Sequence, residues 1–180
     1  MSDRRGDWIQ TYTGKAFWPL DPRPEEICIE DIAHALSLQC RYGGHTSMFY
    51  SVAEHCVLLS RAVHHDWKFW ALMHDAAEAY LVDVPRPIKP FLGDYRKIEA
   101  GIMAVICAKF GMDQLMPEEV SRADQAILMD ERKALMKTAP QSWGTEMPPL
   151  GIDIHGWLPQ FAEYKFLDTF KHLEQQRALD

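Results

Sequence analysis

The sequence predicts an all-α protein that folds as a single-domain bundle of about six helices. With 180 residues, the chain has the length of one ordinary domain. Apolar side chains recur at helical spacing from its first predicted helix onward, as in the series Ile29, Ile32, Ala33 and Leu36. The alternation of apolar and polar residues that is typical of strands is almost absent. We therefore expect a helical domain over residues 30–180.

Residues 1–29 are expected to form an irregular N-terminal segment that packs on this domain. Glycines, prolines and aromatic residues are mixed there without helical spacing. Residues 8–15 contain enough strand-forming residues near Gly14 to predict a short hairpin.

Two helices joined by a tight turn follow, and they should form an antiparallel helical hairpin. Ser47 is the predicted N-cap of the first helix, which should run to about Val63. Asp66 is the predicted N-cap of the second helix, which should run from Trp67 to about Leu81.

Glycine and proline divide the rest of the chain. Three prolines between residues 85 and 90 exclude a helix there. Residues 139–158 should form a long loop, and loops of this length are often functional. Three further helices are predicted around these breaks: Asp94 to Gly111, Pro117 to about Thr138, and Pro159 to about Arg177.

Charge and composition argue against several classes of function. The chain has 19 basic and 26 acidic residues, and this excess of negative charge disfavours binding to a nucleic acid polymer. The longest apolar stretch, residues 102–108, is too short to cross a membrane, and we expect no signal peptide. The four cysteines are widely spaced and form no CxxC pair, so we expect reduced thiols in a cytoplasmic protein: Cys28, Cys40, Cys56 and Cys107.

Two histidines should face each other within the helical hairpin. His55 lies ten residues before position 65 and His74 nine residues after it. At 1.5 Å per residue, both stand roughly 15 Å from the turn. Asp75 follows His74 directly, and Glu78 lies one helical turn further along the same face. Burying these four ionisable groups without an ion would be costly, so the pattern favours a metal site.

A fourth ligand must come from another part of the chain. Asp124 lies early in a predicted helix among apolar neighbours, but residue type alone leaves Asp113 and Asp130 open. The pair formed by His65 and Asp66 is set aside, because Asp66 is better explained as a helix cap. The other histidines are expected on the surface or hydrogen-bonded in the core: His34, His64, His65, His155 and His172.

The ordered set of His55, His74 with Asp75, and Asp124 resembles the H…HD…D signature of the HD-domain metal-dependent phosphohydrolases. Upstream, Arg41 and the aromatic residue after it resemble an arginine–aromatic pair of the 5′-deoxynucleotidase branch, which carries tryptophan where this chain has tyrosine. Three further segments resemble the same branch: residues 51–55, 72–78 and 83–89. The resemblance covers about residues 30–138 and implies an all-α fold.

The resemblance implies hydrolysis of a phosphomonoester, above all a (deoxy)nucleoside 5′-monophosphate, by water that a metal ion activates. It implies that His55, His74, Asp75 and Asp124 hold one divalent transition metal ion. Two neutral imidazoles and two carboxylates balance the charge of such an ion. This mixed set suits Mn, Fe, Co, Ni or Zn better than Mg or Ca, which prefer oxygen ligands.

Other residues have expected roles in proton transfer and in substrate binding. Glu78 is expected to move a proton to or from the reacting oxygens, with the orientation of His74 as its alternative role. Arg41 is expected to act on the substrate phosphate, because a guanidinium group binds phosphate oxygens through two parallel hydrogen bonds. The remaining expected substrate-binding residues are Tyr42, His45, Asp83 and Lys89.

Two alternatives stay open at this point. One is a different HD-domain reaction, such as nucleotide polyphosphate hydrolysis, although those enzymes carry a Glu-Asp pair where this chain has Glu78 and Ala79. The di-iron oxygenases of the superfamily need further histidines between His74 and Asp124, and the sequence has none there. The other alternative is a non-catalytic module that binds a metal or a nucleotide. The expected partner is a small-molecule nucleotide rather than a membrane, and a homodimer stays open.

Overall fold

The computed structural model describes residues 3–144 and 146–179. Its N-terminal segment contains two short antiparallel strands, β1 (Ile9–Gln10) and β2 (Ala16–Phe17), which form the expected hairpin. Phe17 of β2 is fully buried and belongs to the hydrophobic core. The irregular segment therefore packs on the helical part of the chain through at least one large aromatic side chain.

The described residues form six α-helices, which confirms the all-α prediction. None of these helices is both long and apolar enough to cross a membrane. The six helices are α1 (Ile29–Leu38), α2 (Val52–Ala62), α3 (Lys68–Met73), α4 (Gly93–Phe110), α5 (Glu118–Leu135) and α6 (Pro159–Arg177). Short 3₁₀ turns occur between them at Pro24–Glu26, Arg41–Gly44, His65–Trp67, Ala76–Tyr80 and Lys89–Phe91.

Helix α2 is the centre of the bundle. Every residue from position 52 to position 60 is buried, and α1, α3, α5 and α6 all pack against the helix. Phe166 and Phe170 of α6 are buried on one side, and Ile127 of α5 on the other. Because α2 has almost no solvent face, its polar side chains must find partners in the interior.

The beginning of α2 differs from the prediction. Ser51, rather than Ser47, is the N-cap, and its hydroxyl oxygen accepts a hydrogen bond from the backbone N–H of Glu54 at 3.0 Å. Ser47 lies outside the helix, where its backbone N–H donates to the carbonyl of Leu135 at 2.8 Å. Residues 45–50 are needed to lead the chain across to the end of α5, so the helix starts four residues later than expected.

The second helix of the hairpin is shorter than predicted. Asp66 does not cap it, because the chain first makes the 3₁₀ turn at His65–Trp67 and α3 has no side-chain cap. Helix α3 ends at Met73, and Asp75 leaves helical geometry with φ −100° and ψ 12°. A 3₁₀ turn at Ala76–Tyr80 replaces the rest of the predicted helix. Because of this break, His74 and Glu78 do not lie one turn apart on a continuous α-helix, as the sequence predicted.

The later helices follow the sequence signals closely. Gly111 ends α4 in the left-handed conformation at φ 60°, as expected for a C-terminal glycine. Helix α4 begins at Gly93, one residue before the predicted start at Asp94, and Pro117 directly precedes α5. The long loop before α6 is attached to the bundle by two buried carboxylates. Asp130 accepts the N–H groups of residues 150 and 151, and Glu54 accepts those of residues 155–157.

Candidate metal centre

The two predicted histidines meet between α2 and the end of α3. His55 is fully buried on α2, and His74 is 8% exposed at the point where α3 ends. Their Nε2 atoms lie 3.2 Å apart. The expected pairing of these residues at equal depth in the hairpin is therefore confirmed.

Two carboxylates complete the cluster. Asp75 Oδ2 lies 3.2 Å from His74 Nε2 and 3.8 Å from His55 Nε2. Asp124 Oδ1 approaches from α5 and lies 3.2 Å from His55 Nε2 and 3.7 Å from His74 Nε2. All four residues expected as ligands thus converge, although they come from three different helices or helix ends.

The spacing of these atoms fits a shared ion. Ligand atoms of His55, His74 and Asp75 all lie within 4.8 Å of one another. Nitrogen and oxygen ligands stand about 2.0–2.2 Å from a transition metal, so ligands of one ion are separated by roughly 3–4.4 Å. The four distances from Asp75 and Asp124 to the two imidazoles fall within that range.

Hydrogen bonds on the far side of each imidazole leave Nε2 facing the cluster. His74 Nδ1 donates to the carbonyl oxygen of Ala71 at 2.8 Å, and His55 Nδ1 donates to Glu131 Oε1 at 2.6 Å. A carbonyl or carboxylate oxygen can only accept, so each Nδ1 carries the hydrogen. Two Nε2 lone pairs and two carboxylates then point at one another with no donor among them. A proton or a metal cation is needed at their centre.

The pKa of His74 also indicates that the cluster favours a positive charge at its centre. Burial lowers this pKa, but the negative charge of the adjacent Asp75, together with that of Asp124, outweighs burial and holds it well above the usual value. The cluster therefore attracts positive charge strongly. This property, together with the spacing, shows a group of side chains that could hold a metal ion.

Glu131 is a central residue that sequence reasoning missed. Its carboxylate is fully buried, and besides His55 it accepts hydrogen bonds from the hydroxyl groups of Tyr50, at 2.9 Å, and Tyr42. Burial would raise the pKa of Glu131, but the positive charge of Arg41 and the bond with His55 lower it to about 2. A carboxylate that is ionised at neutral pH thus accepts a hydrogen bond from Nδ1 of His55, one of the candidate ligands.

One signal could have identified Glu131. It lies seven residues after Asp124, which is two helical turns further on the same face of α5. The residues around it, from position 130 to position 133, are all charged and are typical of a solvated helix surface. That local composition concealed a buried position.

Arg41 lies beside the cluster, as expected for a residue that would bind a substrate anion there. Its guanidinium is largely buried, with Nη1 3.5 Å from Asp75 Oδ2 and Nη2 3.4 Å from Glu131 Oε2. Both contacts are long for charged hydrogen bonds. Arg41 Nε is buried and has no partner among the described residues. The guanidinium group is therefore held in place while part of its hydrogen-bonding capacity stays unused among the described residues.

Glu78 reaches the site from the 3₁₀ turn rather than from a continuous helix. Its Oε1 accepts a hydrogen bond from Lys89 Nζ at 2.9 Å, while Oε2 is buried without a partner among the described residues. Burial and the nearby carboxylates of Asp75 and Asp83 raise the pKa of Glu78, against the opposing effect of Lys89. Glu78 therefore holds a proton more readily than an exposed glutamate does.

The remaining predicted substrate-binding residues are placed differently from one another. Lys89 is held by two carboxylates, since its Nζ also lies 3.1 Å from Glu99 Oε1. Asp83 is half-buried, and its backbone N–H donates to Gln39 Oε1 at 2.9 Å. His45 is exposed, and its side chain makes no hydrogen bond with the part of the chain that the structure describes. Lys89 thus contacts Glu78, and no hydrogen bond or ion pair among the described residues joins Asp83, Lys89 or His45 to the four clustered side chains.

A second group of metal-ligating residue types lies at the turn of the hairpin. Atoms of His64, His65 and Asp66 also come within 4.8 Å of one another, but all three residues are exposed. Asp66 accepts a hydrogen bond from His65 Nε2 at 2.8 Å. The polar atoms of this group are therefore paired with one another or with solvent. The buried cluster differs from it in having only acceptors.

Fold and site together define an all-α protein with a buried His/Asp cluster that could hold a metal ion. No family model matches the chain. The protein YfdR of Escherichia coli K12, described as uncharacterized, is 39% identical over 177 residues, which cover 94% of this chain and 97% of that protein. An uncharacterized protein of Rhodobacter capsulatus is 34% identical over 129 residues, 66% of each chain. The chain belongs to the same family as YfdR.

Proposed function

We propose that this protein is a metal-dependent phosphohydrolase that cleaves a phosphomonoester, with (deoxy)nucleoside 5′-monophosphates as its substrates. The observation that carries the proposal is the convergence of His55, His74, Asp75 and Asp124 directly beside Arg41. These are the residues that the resemblance to HD-domain phosphohydrolases implies, and they meet although they are far apart in the sequence.

The residues present fit one divalent transition metal ion. Two neutral imidazoles and two carboxylates favour Mn, Fe, Co, Ni or Zn. When bound, such an ion lowers the pKa of a water molecule and neutralises charge on a phosphoryl group. Arg41 is the cationic side chain in contact with Asp75 and Glu131, so carboxylates outnumber positive charges here. An anionic substrate would be repelled from the cluster without a cation.

Arg41 would bind the phosphate. Its Nη1 lies 3.5 Å from Asp75 Oδ2, so the guanidinium reaches the edge of the candidate ligand set. Burial excludes water from around it, and the contact with Glu131 fixes its plane. Two oxygens of a phosphate group can replace the long contacts that Arg41 makes now, each accepting one of two parallel hydrogen bonds from the guanidinium.

Glu78 would transfer a proton during the reaction. Its unpartnered Oε2 is available to protonate the leaving alcohol oxygen or to take a proton from the attacking water. The alternative role, orienting His74, is less suitable, because the carbonyl of Ala71 already accepts from His74 Nδ1. Lys89 Nζ donates to the other oxygen of Glu78 and so restrains the carboxyl group.

A metal-loading experiment with a nucleotide panel tests the proposal. Purified protein is stripped with a chelator and reloaded with Mn, Co, Ni, Fe or Zn, and phosphate release is measured from nucleoside mono-, di- and triphosphates. We expect activity on 5′-monophosphates only in the reloaded protein. His74→Ala should lose bound metal and activity together, while His65→Ala, in the exposed group, should lose neither.

Three results would contradict the proposal. Full activity after thorough chelation would show that the reaction does not need a metal ion. Release of phosphate only from di- or triphosphates, or only from esters that are not nucleotides, would show a different substrate class. Metal binding without any phosphate release would indicate a non-catalytic binding module.

A further inference from the structure

An aromatic pair lies next to the candidate metal centre. The ring centroids of Tyr42 and Trp143 are 6.2 Å apart, and the rings are tilted by 45°. Tyr42 belongs to the 3₁₀ turn after α1, whereas Trp143 belongs to the long loop after α5. Two segments that are remote in sequence thus bring aromatic rings to the same place.

Tyr42 is held there against its backbone preference. Its φ of 58° is left-handed, and no other non-glycine residue among residues 3–144 and 146–179 has a positive φ. Such a conformation is unfavourable for a residue other than glycine and persists only where the surroundings enforce it. The hydroxyl of Tyr42 donates to Glu131, the same carboxylate that holds His55. Tyr42 is therefore hydrogen-bonded to the carboxylate that orients His55 in the candidate metal centre.

Trp143 is held in place without being buried. The carboxylate of Glu146 accepts the backbone N–H of Trp143 at 2.8 Å and the hydroxyl of Ser142 at 2.7 Å, which closes the tip of the loop. Arg132 lies over the indole ring at 5.2 Å from its centroid and pairs with Glu146 at 3.4 Å. Even so, Trp143 is 37% exposed. Its ring has free surface in a defined position.

We propose that Tyr42 and Trp143 form a subsite that binds the aromatic base of a nucleotide substrate. The inference rests on the proposed function, since it places the base of the molecule whose phosphate Arg41 would bind. Arg41 and Tyr42 are consecutive, and the guanidinium carbon of Arg41 lies 5.4 Å from the centroid of the Tyr42 ring, so phosphate and base would be recognised by adjoining side chains.

The charge around the pair favours a neutral planar ring over a second phosphate. Arg132 is the basic side chain at Trp143, and Glu146 neutralises it. A flat ring gains contact with exposed aromatic surface, and an added cation–π contact from an arginine strengthens such stacking. Stacking accepts every base, because each has a π-face. The subsite should therefore accept purine and pyrimidine nucleotides alike.

Comparing two substrates that differ only by the base tests the subsite. Deoxyadenosine 5′-monophosphate and 2-deoxyribose 5-phosphate share the phosphate and the sugar. In metal-loaded protein, Trp143→Ala should raise KM for the nucleotide by about 5- to 150-fold, the range measured for base–aromatic stacking. It should leave KM for the base-free compound unchanged. Trp143→Phe should retain most of the nucleotide preference.

A matched control and a binding measurement keep the outcome unambiguous. Trp8→Ala removes another partly exposed tryptophan, 49% exposed in the N-terminal segment, and should change neither KM. Equal effects of Trp143→Ala on both substrates, or no effect on either, would overturn the subsite. If wild-type protein hydrolyses neither compound, the proposed function fails and calorimetry with the same two compounds decides the subsite. It stands only if the wild type binds the nucleotide more tightly and Trp143→Ala removes that difference.

Discussion

Glu131 Oε1 lies 2.6 Å from His55 Nδ1, so a fully buried carboxylate on α5 orients a candidate metal ligand on α2. This contact determines which imidazole nitrogen faces the cluster, because Nδ1 carries the hydrogen that Glu131 accepts. The same carboxylate contacts Arg41 and Tyr42, so the candidate ligand and the candidate substrate-binding residues share one support. The site is thus a cluster on the inside of the bundle rather than a row of residues along one helix.

Glu131→Gln should weaken metal binding. The amide keeps the shape of the side chain but loses the negative charge that polarises His55, and changes of this kind typically cost about 10- to 100-fold in metal affinity. Competition with a coloured chelator measures the affinity. Tyr50→Phe is the matched control, because it removes a hydroxyl from the same carboxylate at 2.9 Å and leaves the contact with His55 intact. Equal affinities for wild type and Glu131→Gln would show that the carboxylate has no influence on the ligand.

Glu78→Gln should lower kcat strongly while the metal content stays near that of the wild type. The amide cannot donate or accept a proton as a carboxyl group does, and general acid–base catalysis typically contributes about 10²- to 10⁴-fold. Glu99→Gln is a close control, since Glu99 also contacts Lys89 Nζ, at 3.1 Å, from outside the cluster. Metal analysis and steady-state kinetics are measured on the same samples. Loss of metal from Glu78→Gln would instead make Glu78 a ligand or the support of one.

Arg41→Ala should raise KM and lower kcat/KM for a nucleoside 5′-monophosphate. Loss of one charged phosphate contact corresponds to about 1.5–3 kcal/mol, or roughly 10- to 150-fold. Arg41→Lys should recover only part of the loss, because an ammonium group keeps the charge without the planar fork. Arg96→Ala removes an exposed arginine at the start of α4 and should have no effect. Unchanged KM and kcat/KM in Arg41→Ala would show that another residue binds the phosphate.

The sequence was sufficient for the parts of the fold that depend on local signals. Pro159 and Gly111 mark helix ends as expected, and the spacing of His55 and His74 from the turn placed them face to face. These predictions needed only helix geometry and the chemistry of glycine and proline. They are confirmed where no tertiary contact opposes the local preference.

The features that escaped prediction are the ones that tertiary contacts impose. Helix α3 ends at Met73 with no glycine or proline to end it, and the break brings Asp75 Oδ2 to 3.2 Å from His74 Nε2. Tyr42 adopts a left-handed conformation that no local pattern favours. Glu131 is buried within a run of charged residues. Departures from local preference are expected at functional sites, where the arrangement of side chains outweighs regularity.

The stability of the metal-free protein should depend on pH through Glu131. The pKa of this group is about 2 in the folded state, against 4.5 for an ordinary glutamate. Because the folded-state pKa is the lower one, the stabilisation is fully present above about pH 5 and is lost as the pH falls toward 2. The difference in pKa corresponds to about 3 kcal/mol.

Urea unfolding in the presence of a chelator, repeated at several pH values, measures this contribution. The free energy of unfolding of the wild type should exceed that of Glu131→Gln most at about pH 6, and the two should converge toward about pH 3. Tyr50→Phe should keep the pH dependence of the wild type, because its Glu131 still titrates against Arg41 and His55. Parallel curves for wild type and Glu131→Gln would show that Glu131 binds protons equally in the folded and unfolded states. The charged contacts of Glu131 with Arg41 and His55 would then only offset the cost of burying its carboxylate.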